Sequence, residues 1–317
     1  MTLRLGLLST ARIGRLLVAA QVEAVEIVAV ASRDGGRAAD LAHEHGIARA
    51  HASYESLLND PEVDAVYVSL PNGFHHEWTM RALRAGKHVL VEKPYSRRPA
   101  EVEEAWDTAA AAGLVVAEAL MWRHHPQAAR VRELLGSGAI GRLRLIRASF
   151  SFPLFDLDDI RMKPELDGGA LMDLGCYCVG GARLLGGEPE RALGEQVTGP
   201  TGVDVDFYGT LRFAGDVVAQ LDVSFGLPSR QRLEAVGEEG TLALEAPWRA
   251  DWGGRVLLDG EPVEVPEASS YELELADFAA AVRGERAPLL GRDDAFGQAR
   301  TIDALYRSAA AGETILL

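Results

Sequence analysis

The chain has 317 residues, of which 48% are hydrophobic and 25% are charged, and its formal net charge is −15. This length suits two domains better than one, and the acidic balance, with no basic stripe, excludes a nucleic-acid-binding protein. No apolar run approaches the roughly 18 residues that a membrane-spanning helix needs, so we expect no membrane association.

The N-terminal part of the chain alternates short apolar runs with helical patterns. The runs are nearly continuous in Val, Ile, Leu and Ala, which is typical of strands buried on both faces. They predict strands at residues 3–8, 26–31, 64–70, 88–92 and 114–118. Helices are predicted between them near residues 12–20, 36–45, 73–85 and 99–112. This alternation predicts an α/β fold with a doubly wound parallel sheet.

The pattern changes near residues 118–122. Later strands are predicted at 143–152, 205–213, 217–225, 230–237 and 240–246. Several alternate apolar and polar residues, as in a sheet with one solvated face. Helices are predicted near 124–136, 168–185, 271–283 and 294–310. We therefore predict one domain over residues 1–120 and a second, with a mostly antiparallel sheet, over residues 121–317.

The stretch "GLLSTARIG" joins the first strand to the first helix. Aligned with the dinucleotide-binding pattern G-x-G-x-x-G, it keeps only Gly14, but the small residues Ser9 and Ala11 still allow close approach of a pyrophosphate. The helix start and Arg12 would favour a phosphate. A turn of small residues also needs no ligand, so this stretch alone leaves cofactor binding open.

The second strand ends in "ASRD". A hydroxyl from Ser32 and a guanidinium from Arg33 suit the 2′-phosphate of NADP, which favours NADP over NAD. Asp34 could instead supply the carboxylate that holds the ribose of NAD. A solvated strand end with no ligand is the third interpretation.

Lys93 is one of only three lysines, and it lies in "VEKPY", directly after a predicted strand. The carboxyl edge of a doubly wound sheet is where ligands bind. Pro94 fixes the turn and keeps Lys93 out of the helical region. The alternative is a surface lysine bonded to strand-end carbonyls.

The stretch "DGGALMDLGCYCVGGARLL" predicts a helix with Asp173 and Tyr177 on one face. All eight histidines lie in the first 125 residues, so an acid or base from the second domain is not histidine. Tyr177 could serve as a general base if Lys93 and an oxidised nicotinamide lowered its pKa, and Asp173 could orient a substrate hydroxyl. The alternative is a buried Tyr177 and an exposed Asp173. Cys176 and Cys178 lack a second ligand pair, so we expect core thiols and no metal site.

With these residues placed, the chain resembles the glucose–fructose oxidoreductase / inositol dehydrogenase (Gfo/Idh/MocA) superfamily, near its branch of dihydrodiol dehydrogenases and NADP-dependent D-xylose dehydrogenases. The motifs are "GLLSTARIG", "ASRD", "LPNGFHHEW", "AGKHVLVEKP", "EALMWRHHPQ", "GGALMDLGCY" and "GVDVDF". The resemblance implies an N-terminal Rossmann domain and a C-terminal α+β domain, whose open, mostly antiparallel sheet would bind substrate and form a homodimer or higher homo-oligomer.

The resemblance also implies site residues. Lys93 would lie beside the nicotinamide and the substrate oxygen, and Tyr177 stands where many members carry histidine. The implied cofactor contacts are Ser9, Thr10, Ala11, Arg12, Ile13, Ser32, Arg33, Leu70, Pro71, Asn72, His75, Glu92, Lys93, Trp122 and Arg123. The two glycines missing from the first turn are a departure that weakens the pyrophosphate assignment.

We therefore expect an NADP-dependent oxidoreductase that transfers a hydride between nicotinamide and a secondary alcohol or hemiacetal carbon of a sugar, polyol or dihydrodiol. The pocket would draw on loops around residues 153–166. Two alternatives are a redox-neutral glycosidase or epimerase with tightly bound NAD, and a non-catalytic NADP sensor. Two cysteines and no secretory pattern at the start lead us to expect the cytoplasm.

Overall fold

The computed structural model of the protein describes residues 2–250 and 253–317. The chain divides into two compact units. The first contains the residues up to Ser96 together with Ala100–Met121 and Tyr271–Phe296. The second contains Arg97–Pro99, Trp122–Ser270 and Gly297–Leu317. The domain limits 1–120 and 121–317 stay a prediction.

The first unit is built on six parallel strands in the order β3-β2-β1-β4-β5-β6. The strands are β1 Leu3–Leu7, β2 Val25–Ala31, β3 Arg49–His51, β4 Ala65–Val68, β5 His88–Glu92 and β6 Val116–Ala119. The prediction of a doubly wound parallel sheet is confirmed. The strand order reverses between β1 and β4, and such a reversal opens the crevice in which doubly wound sheets bind ligands.

Nine α-helices lie in the described residues. They are α1 Gly14–Ala19, α2 Gly35–His45, α3 Tyr54–Leu58, α4 His75–Arg84, α5 Pro99–Ala112, α6 Pro126–Gly136, α7 Cys176–Gly186, α8 Ser270–Val282 and α9 Arg292–Ala311. Sequence reasoning missed α3 and the strand β3, because elements of three to five residues are too short to show a period. Within the described part of the chain, no helix is long and apolar enough to cross a membrane.

The core of the first unit receives a contribution from far along the chain. Leu5, Leu7 and Tyr67 are fully buried in the sheet. Leu275 and Phe278 of α8 belong to the same buried cluster. A helix that follows the second sheet in sequence therefore completes the core of the first.

The second unit is built on nine strands in the order β14-β13-β12-β11-β7-β10-β9-β8-β15. They are β7 Leu143–Ser151, β8 Pro189–Thr198, β9 Asp204–Phe213, β10 Val218–Ser224, β11 Arg230–Gly237, β12 Thr241–Leu244, β13 Val256–Leu258, β14 Glu261–Val263 and β15 Ile315–Leu316. Only β7 and β10 pair in parallel, so the prediction of a mostly antiparallel sheet is confirmed. The strands β8, β13, β14 and β15 were not predicted.

Helices cover one face of this sheet. A Cβ on Gly181 of α7 would lie 2.6 Å from the Trp248 ring and 3.1 Å from Leu233 of β11. A Cβ on Gly194 of β8 would lie 2.5 Å from the carbonyl oxygen of Leu305 in α9. Glycine at these positions lets the helices pack directly on the strands.

Candidate functional site

Side chains at the carboxyl ends of β1 and β4 tie the two strands together. Ser9, which follows β1, is buried, and its hydroxyl lies 2.9 Å from the carbonyl oxygen of Ser69 and 2.8 Å from the Ser69 hydroxyl. The same Ser9 oxygen accepts the Ala11 N–H at 3.1 Å. Ser9 thus fixes the start of the first turn at the edge where the strand order reverses.

His75 joins the turns that follow β4 and β5. The side chain is only 1% exposed. Its Nε2 lies 2.7 Å from the carbonyl oxygen of Leu70 and its Nδ1 lies 2.8 Å from that of Pro94. Because a carbonyl oxygen only accepts, both bonds together need a proton on each ring nitrogen. The bridge brings Leu70 and the Lys93–Pro94 turn together at one edge.

The turn after β5 is held at almost every residue. Glu92 accepts a hydrogen bond from the buried Tyr67 hydroxyl, and its other oxygen accepts the Lys93 N–H at 3.2 Å. The Tyr95 N–H donates to Glu118 at 2.9 Å, and the peptide bond between Lys93 and Pro94 is cis. Lys93 itself is partly exposed. A rigid turn therefore carries the Lys93 side chain at the sheet edge.

The other two lysines have local roles. Lys87 is buried and donates to the carbonyl oxygens of Asp60 at 2.8 Å and Val63 at 2.6 Å. Burial lowers the pKa of Lys87. Lys163 pairs with Asp158 at 3.0 Å. Lys87 is thus a lysine bonded to backbone carbonyls.

The end of β2 carries the residues predicted to choose between NADP and NAD. The Ser32 side chain is buried and accepts the Asp34 N–H at 3.2 Å, whereas Arg33 is exposed. One carboxylate oxygen of Asp34 accepts the N–H groups of Gly36 at 2.9 Å and Arg37 at 3.3 Å, so Asp34 caps α2. The cap uses Oδ1 of Asp34 and fixes the start of α2.

The first turn presents a polar, small-residue surface. Thr10, Ala11 and Ile13 are partly exposed and Arg12 is exposed. The Gly14 N–H donates to the carbonyl oxygen of Ala11 at 3.0 Å and begins the helical turn. This turn carries the guanidinium of Arg12, and the end of β2 carries the guanidinium of Arg33 and the hydroxyl of Ser32. These donors are chemically suited to the phosphates of a dinucleotide. The partly exposed Pro71 and Asn72 follow Leu70 on the same edge.

The segment that carries Asp173 and Tyr177 contains a wider turn than the predicted helix. Residues Leu171–Gly175 form a π-helical turn that leads into α7. Such turns occur frequently at functional sites. From Gly169 to Arg183, every side chain is buried except Asp173 and Tyr177, which are partly exposed. Asp173 and Tyr177, which were predicted to share one helix face, are both partly exposed, although the backbone at Asp173 is π-helical and not α-helical.

Both exposed side chains have neighbours in the second unit. Asp173 accepts a hydrogen bond from Nε of Arg161 at 2.8 Å. The attraction of the Asp173 carboxylate holds the pKa of Arg161 above its usual value, against the effect of burial. The Tyr177 ring meets Phe150 edge-on at 5.3 Å between centroids and lies 5.9 Å from the Trp248 ring. Arg161 was missed as a site residue, because it lies in the loop 153–166 where no local pattern assigns contacts.

The glycine pair before this turn has a steric cause. A Cβ on Gly168 would lie 2.4 Å from the carbonyl oxygen of Arg161, and one on Gly169 would lie 2.1 Å from Oδ1 of Asp204. Gly169 also has φ 122°, which other residues rarely adopt. The Gly169 N–H donates to the Arg161 carbonyl at 2.9 Å. The two glycines therefore let the chain pass between Arg161 and Asp204.

Trp122 and Arg123 form a short helical turn after β6, and both belong to the second unit. Trp122 is fully buried and meets the Trp248 ring edge-on at 5.0 Å. Arg123 is partly exposed, with its guanidinium 5.7 Å from the Trp122 ring centre. Their predicted contacts with cofactor and substrate stay a prediction. Cys176 and Cys178 are both buried.

Two family models match the chain. Residues 5–120 match an oxidoreductase family with an NAD-binding Rossmann fold, and residues 128–243 match the Gfo/Idh/MocA C-terminal domain. The chain belongs to the Gfo/Idh/MocA oxidoreductase family. The predicted resemblance is confirmed, and the first model contains Lys93 while the second contains Asp173 and Tyr177. Trp122 and Arg123 lie between the two.

Relatives within the Gfo/Idh/MocA family act on sugars and dihydrodiols. A D-xylose 1-dehydrogenase (NADP(+)) from Haloferax volcanii is 39% identical over 98% of this chain and 99% of that protein. A trans-1,2-dihydrobenzene-1,2-diol dehydrogenase from Danio rerio is 34% identical over 78% of this chain and 75% of that protein. The crystal structure of a 3-ketoreductase from Actinomadura kijaniata with NADP and TDP-benzene matches with a TM-score of 0.88 at 30% identity, over 97% of this chain and 98% of that one. This member of the family is thus an oxidoreductase of the class that acts on CH–OH groups of sugar-like compounds.

Proposed function

We propose that the protein is an NADP-dependent dehydrogenase or reductase of a sugar, polyol or dihydrodiol, with Tyr177 as its general acid–base. One observation carries the proposal. Asp173 and Tyr177 alone remain partly exposed in an otherwise buried segment of fifteen residues from Gly169 to Arg183. A buried helix that keeps two polar side chains accessible, and no others, is built to present them to a ligand.

The chemistry divides among three side chains. Tyr177 takes the proton of the substrate hydroxyl in oxidation and returns it in reduction, because a phenol exchanges a proton through its single oxygen. Asp173 orients a substrate hydroxyl through its carboxylate. Lys93, on its rigid turn, supplies a compact positive charge to the substrate oxygen. That Lys93 also lowers the pKa of Tyr177 stays a prediction.

NADP is the proposed cofactor, and it supplies the nicotinamide that accepts or donates the hydride. Ser32 and Arg33 at the end of β2 would hold its 2′-phosphate, because a hydroxyl and a guanidinium are suited to a phosphate. The turn from Ser9 to Ile13 would hold the pyrophosphate, with Arg12 as the exposed cation. The relative from Haloferax volcanii is named for NADP as well.

A second copy of the chain is the proposed partner, through the open face of the nine-stranded sheet. Leu193 and Val197 of β8 and Tyr208 of β9 are large and exposed. A cluster of exposed apolar side chains on a sheet face is typical of a protein–protein contact. Sedimentation velocity of the protein and of Tyr208→Glu tests this: the variant should dissociate, and a protein that is monomeric from the start would contradict it.

Initial rates with a panel of aldoses, polyols and dihydrodiols, using NADP⁺ and NAD⁺, test the function. The protein should reduce NADP⁺ with at least one substrate of the panel and prefer NADP⁺ to NAD⁺. Tyr177→Phe and Lys93→Met should each lower turnover by about 10²-fold or more, as expected for loss of an acid–base group. NADPH affinity, measured by nicotinamide fluorescence, should stay within about twofold in Tyr177→Phe, because only a proton-transfer group is removed.

Matched variants control for general damage. Tyr208→Phe removes an exposed hydroxyl of the same unit, and Lys163→Met removes a lysine that pairs with Asp158. Both should keep full turnover. Lys93→Arg should be nearly as damaging as Lys93→Met, since a planar guanidinium does not replace a point charge. Full turnover in Tyr177→Phe contradicts the assigned role, a preference for NAD⁺ contradicts the cofactor, and NADPH binding without any turnover would favour a sensor.

A further inference from the structure

Asp204 belongs to the motif "GVDVDF", to which the proposed function gives no task. It opens β9 and is only 4% exposed. Its two carboxylate oxygens have different donors. Oδ2 accepts the Leu171 N–H at 2.7 Å, and Oδ1 accepts the Tyr306 hydroxyl at 2.9 Å. A buried carboxylate thus links three elements that are far apart in sequence.

The Leu171 N–H is the first backbone group of the π-helical turn that carries Asp173. Asp204 therefore holds the entry to this turn from one side. Arg161 holds it from the other, through its carbonyl to the Gly169 N–H and its Nε to Asp173. The chain between them has glycine at 168 and 169, so it has little stiffness of its own. The contacts with Asp204 and Arg161 therefore set the direction in which the π-helical turn continues into α7.

The groups around Asp204 favour its charged form, which accepts hydrogen bonds from both the Leu171 N–H and the Tyr306 hydroxyl. Arg97 lies 5.1 Å from the centre of the Tyr306 ring and pairs with Asp167 at 3.0 Å. Burial raises the pKa of Asp204 to about 6, while the Leu171 N–H, the Tyr306 hydroxyl and Arg97 act in the opposite direction. Near pH 7.5 the group is therefore mainly a carboxylate that accepts from both donors.

We infer that Asp204 is a positioning residue for the catalytic helix: it holds the π-helical turn so that Asp173 and Tyr177 face the substrate. This inference rests on the proposed function of Tyr177. Asp204 touches neither reacting group, and it acts through the backbone of Leu171. A small displacement of an acid–base group is costly, because proton transfer depends on the distance between the two heavy atoms.

Kinetics and hydrogen exchange of the full-length protein test the inference. Asp204→Ala should lower kcat by about 10- to 100-fold and leave the KM for NADP⁺ within about twofold, since misplacement affects the chemical step. Amide exchange of peptides covering residues 168–177 should become faster. Asp204→Asn should stay within about threefold of the wild type, because its amide can accept from Leu171 and donate to the Tyr306 oxygen.

Asp206→Ala is the matched control. Asp206 lies two residues further on the same strand and accepts a hydrogen bond from the Ser224 hydroxyl. It should leave kcat and the exchange of residues 168–177 unchanged. If Asp204→Ala does not fold, Tyr306→Phe takes its place, with a smaller loss of kcat of about two- to fivefold because one of the two bonds remains.

The outcomes separate this inference from the proposed function. Unchanged exchange over residues 168–177 in Asp204→Ala overturns the inference whatever the rates are. An equal change in kcat and in the KM for NADP⁺ also overturns it, since that indicates general damage. Faster exchange together with full turnover in Tyr177→Phe would instead contradict the role of Tyr177 and leave the hold of Asp204 on the turn intact.

Discussion

The candidate residues of the two units are held in different ways. In the first unit they lie in turns after neighbouring parallel strands, and most bonds run between residues of adjacent turns, such as His75 with Leu70 and Pro94. In the second unit Asp173 and Tyr177 lie on one helical segment, whose Leu171 N–H donates to Asp204, 33 residues away, and Asp204 in turn accepts from Tyr306, a further 102 residues along the chain. At a sheet edge the strand order brings the residues together, whereas the orientation of a helix depends on contacts with residues elsewhere in the chain.

Gly169→Ala should disrupt the contacts that hold the helical segment of the second unit, and we expect it to have the largest effect on stability. The new Cβ would meet Oδ1 of Asp204 at 2.1 Å, and the residue would keep φ 122°. Strain and the clash together should lower the free energy of unfolding by about 2–4 kcal/mol. Urea unfolding followed by far-UV circular dichroism measures the shift of the midpoint.

Gly215→Ala is the control for this variant. Gly215 has φ 70° and ψ 24° in the same unit, but a Cβ there would meet nothing within 4 Å. Its loss should be about 1 kcal/mol, the cost of the backbone conformation alone. If the two variants lose the same stability, the contact between Gly169 and Asp204 does not matter.

His75→Leu should disrupt the contacts between the turns of the first unit, with a somewhat smaller effect on stability. It leaves the buried carbonyls of Leu70 and Pro94 without their donor, which should cost about 2–3 kcal/mol. NADPH affinity should fall as well, because the turns at the sheet edge lose their bridge. Thermal unfolding and nicotinamide fluorescence measure the two effects.

His76→Leu provides the comparison, since His76 is the next residue of α4 and is partly exposed. Its ring bonds to the Tyr95 hydroxyl at 2.8 Å, a side chain rather than a backbone carbonyl. We expect a loss below about 1 kcal/mol there, as is usual for partly exposed positions. An equal loss at His75 and His76 would contradict the bridging role.

The same contrast explains what could be predicted from the sequence. Lys93 was placed at the sheet edge because a continuous apolar strand and a proline define its turn locally. The shared face of Asp173 and Tyr177 was predicted from their spacing of four residues. The π-helical turn was not predicted, and its first N–H, that of Leu171, bonds to Asp204, 33 residues away, to which no local pattern points.

Distant contacts also explain the missed elements. The strand β8 has few apolar residues in its sequence "PERALGEQVT", and it forms because β9 and β15 pair with it. The pairing of Arg161 with Asp173 joins a loop to a helix, and loops show no period from which contacts could be read. The core position of α8 in the first unit likewise depends on contacts across the chain.

The first unit has one distant contribution of its own, and Glu274→Gln tests it with the smallest expected effect. Glu274 of α8 is 2% exposed, and burial, followed by the charges of Glu92 and Asp277, holds its pKa well above 4.5. The folded state therefore keeps a proton that the unfolded state releases. Stability is lost as the pH rises from about 4.5 towards the raised value, at roughly 1.4 kcal/mol per pH unit. Glutamine has no proton to release, so the variant should be similar to the wild type near pH 4.5 and become increasingly more stable than it as the pH rises above that value.

Urea midpoints of wild type and Glu274→Gln between pH 4.5 and 8 measure this difference. Glu23→Gln, at an exposed position of the same unit, controls for the loss of one negative charge. A gap that widens with pH only in Glu274→Gln would show that a segment far along the chain places a buried proton beside Glu92, the residue before Lys93. The sheet edge would then have a distant partner, as the segment that carries Asp173 and Tyr177 has in Asp204, and the contrast between the units would be one of degree. A stability difference that stays constant with pH would indicate that contacts within its own turns determine the structure of the sheet edge in the first unit.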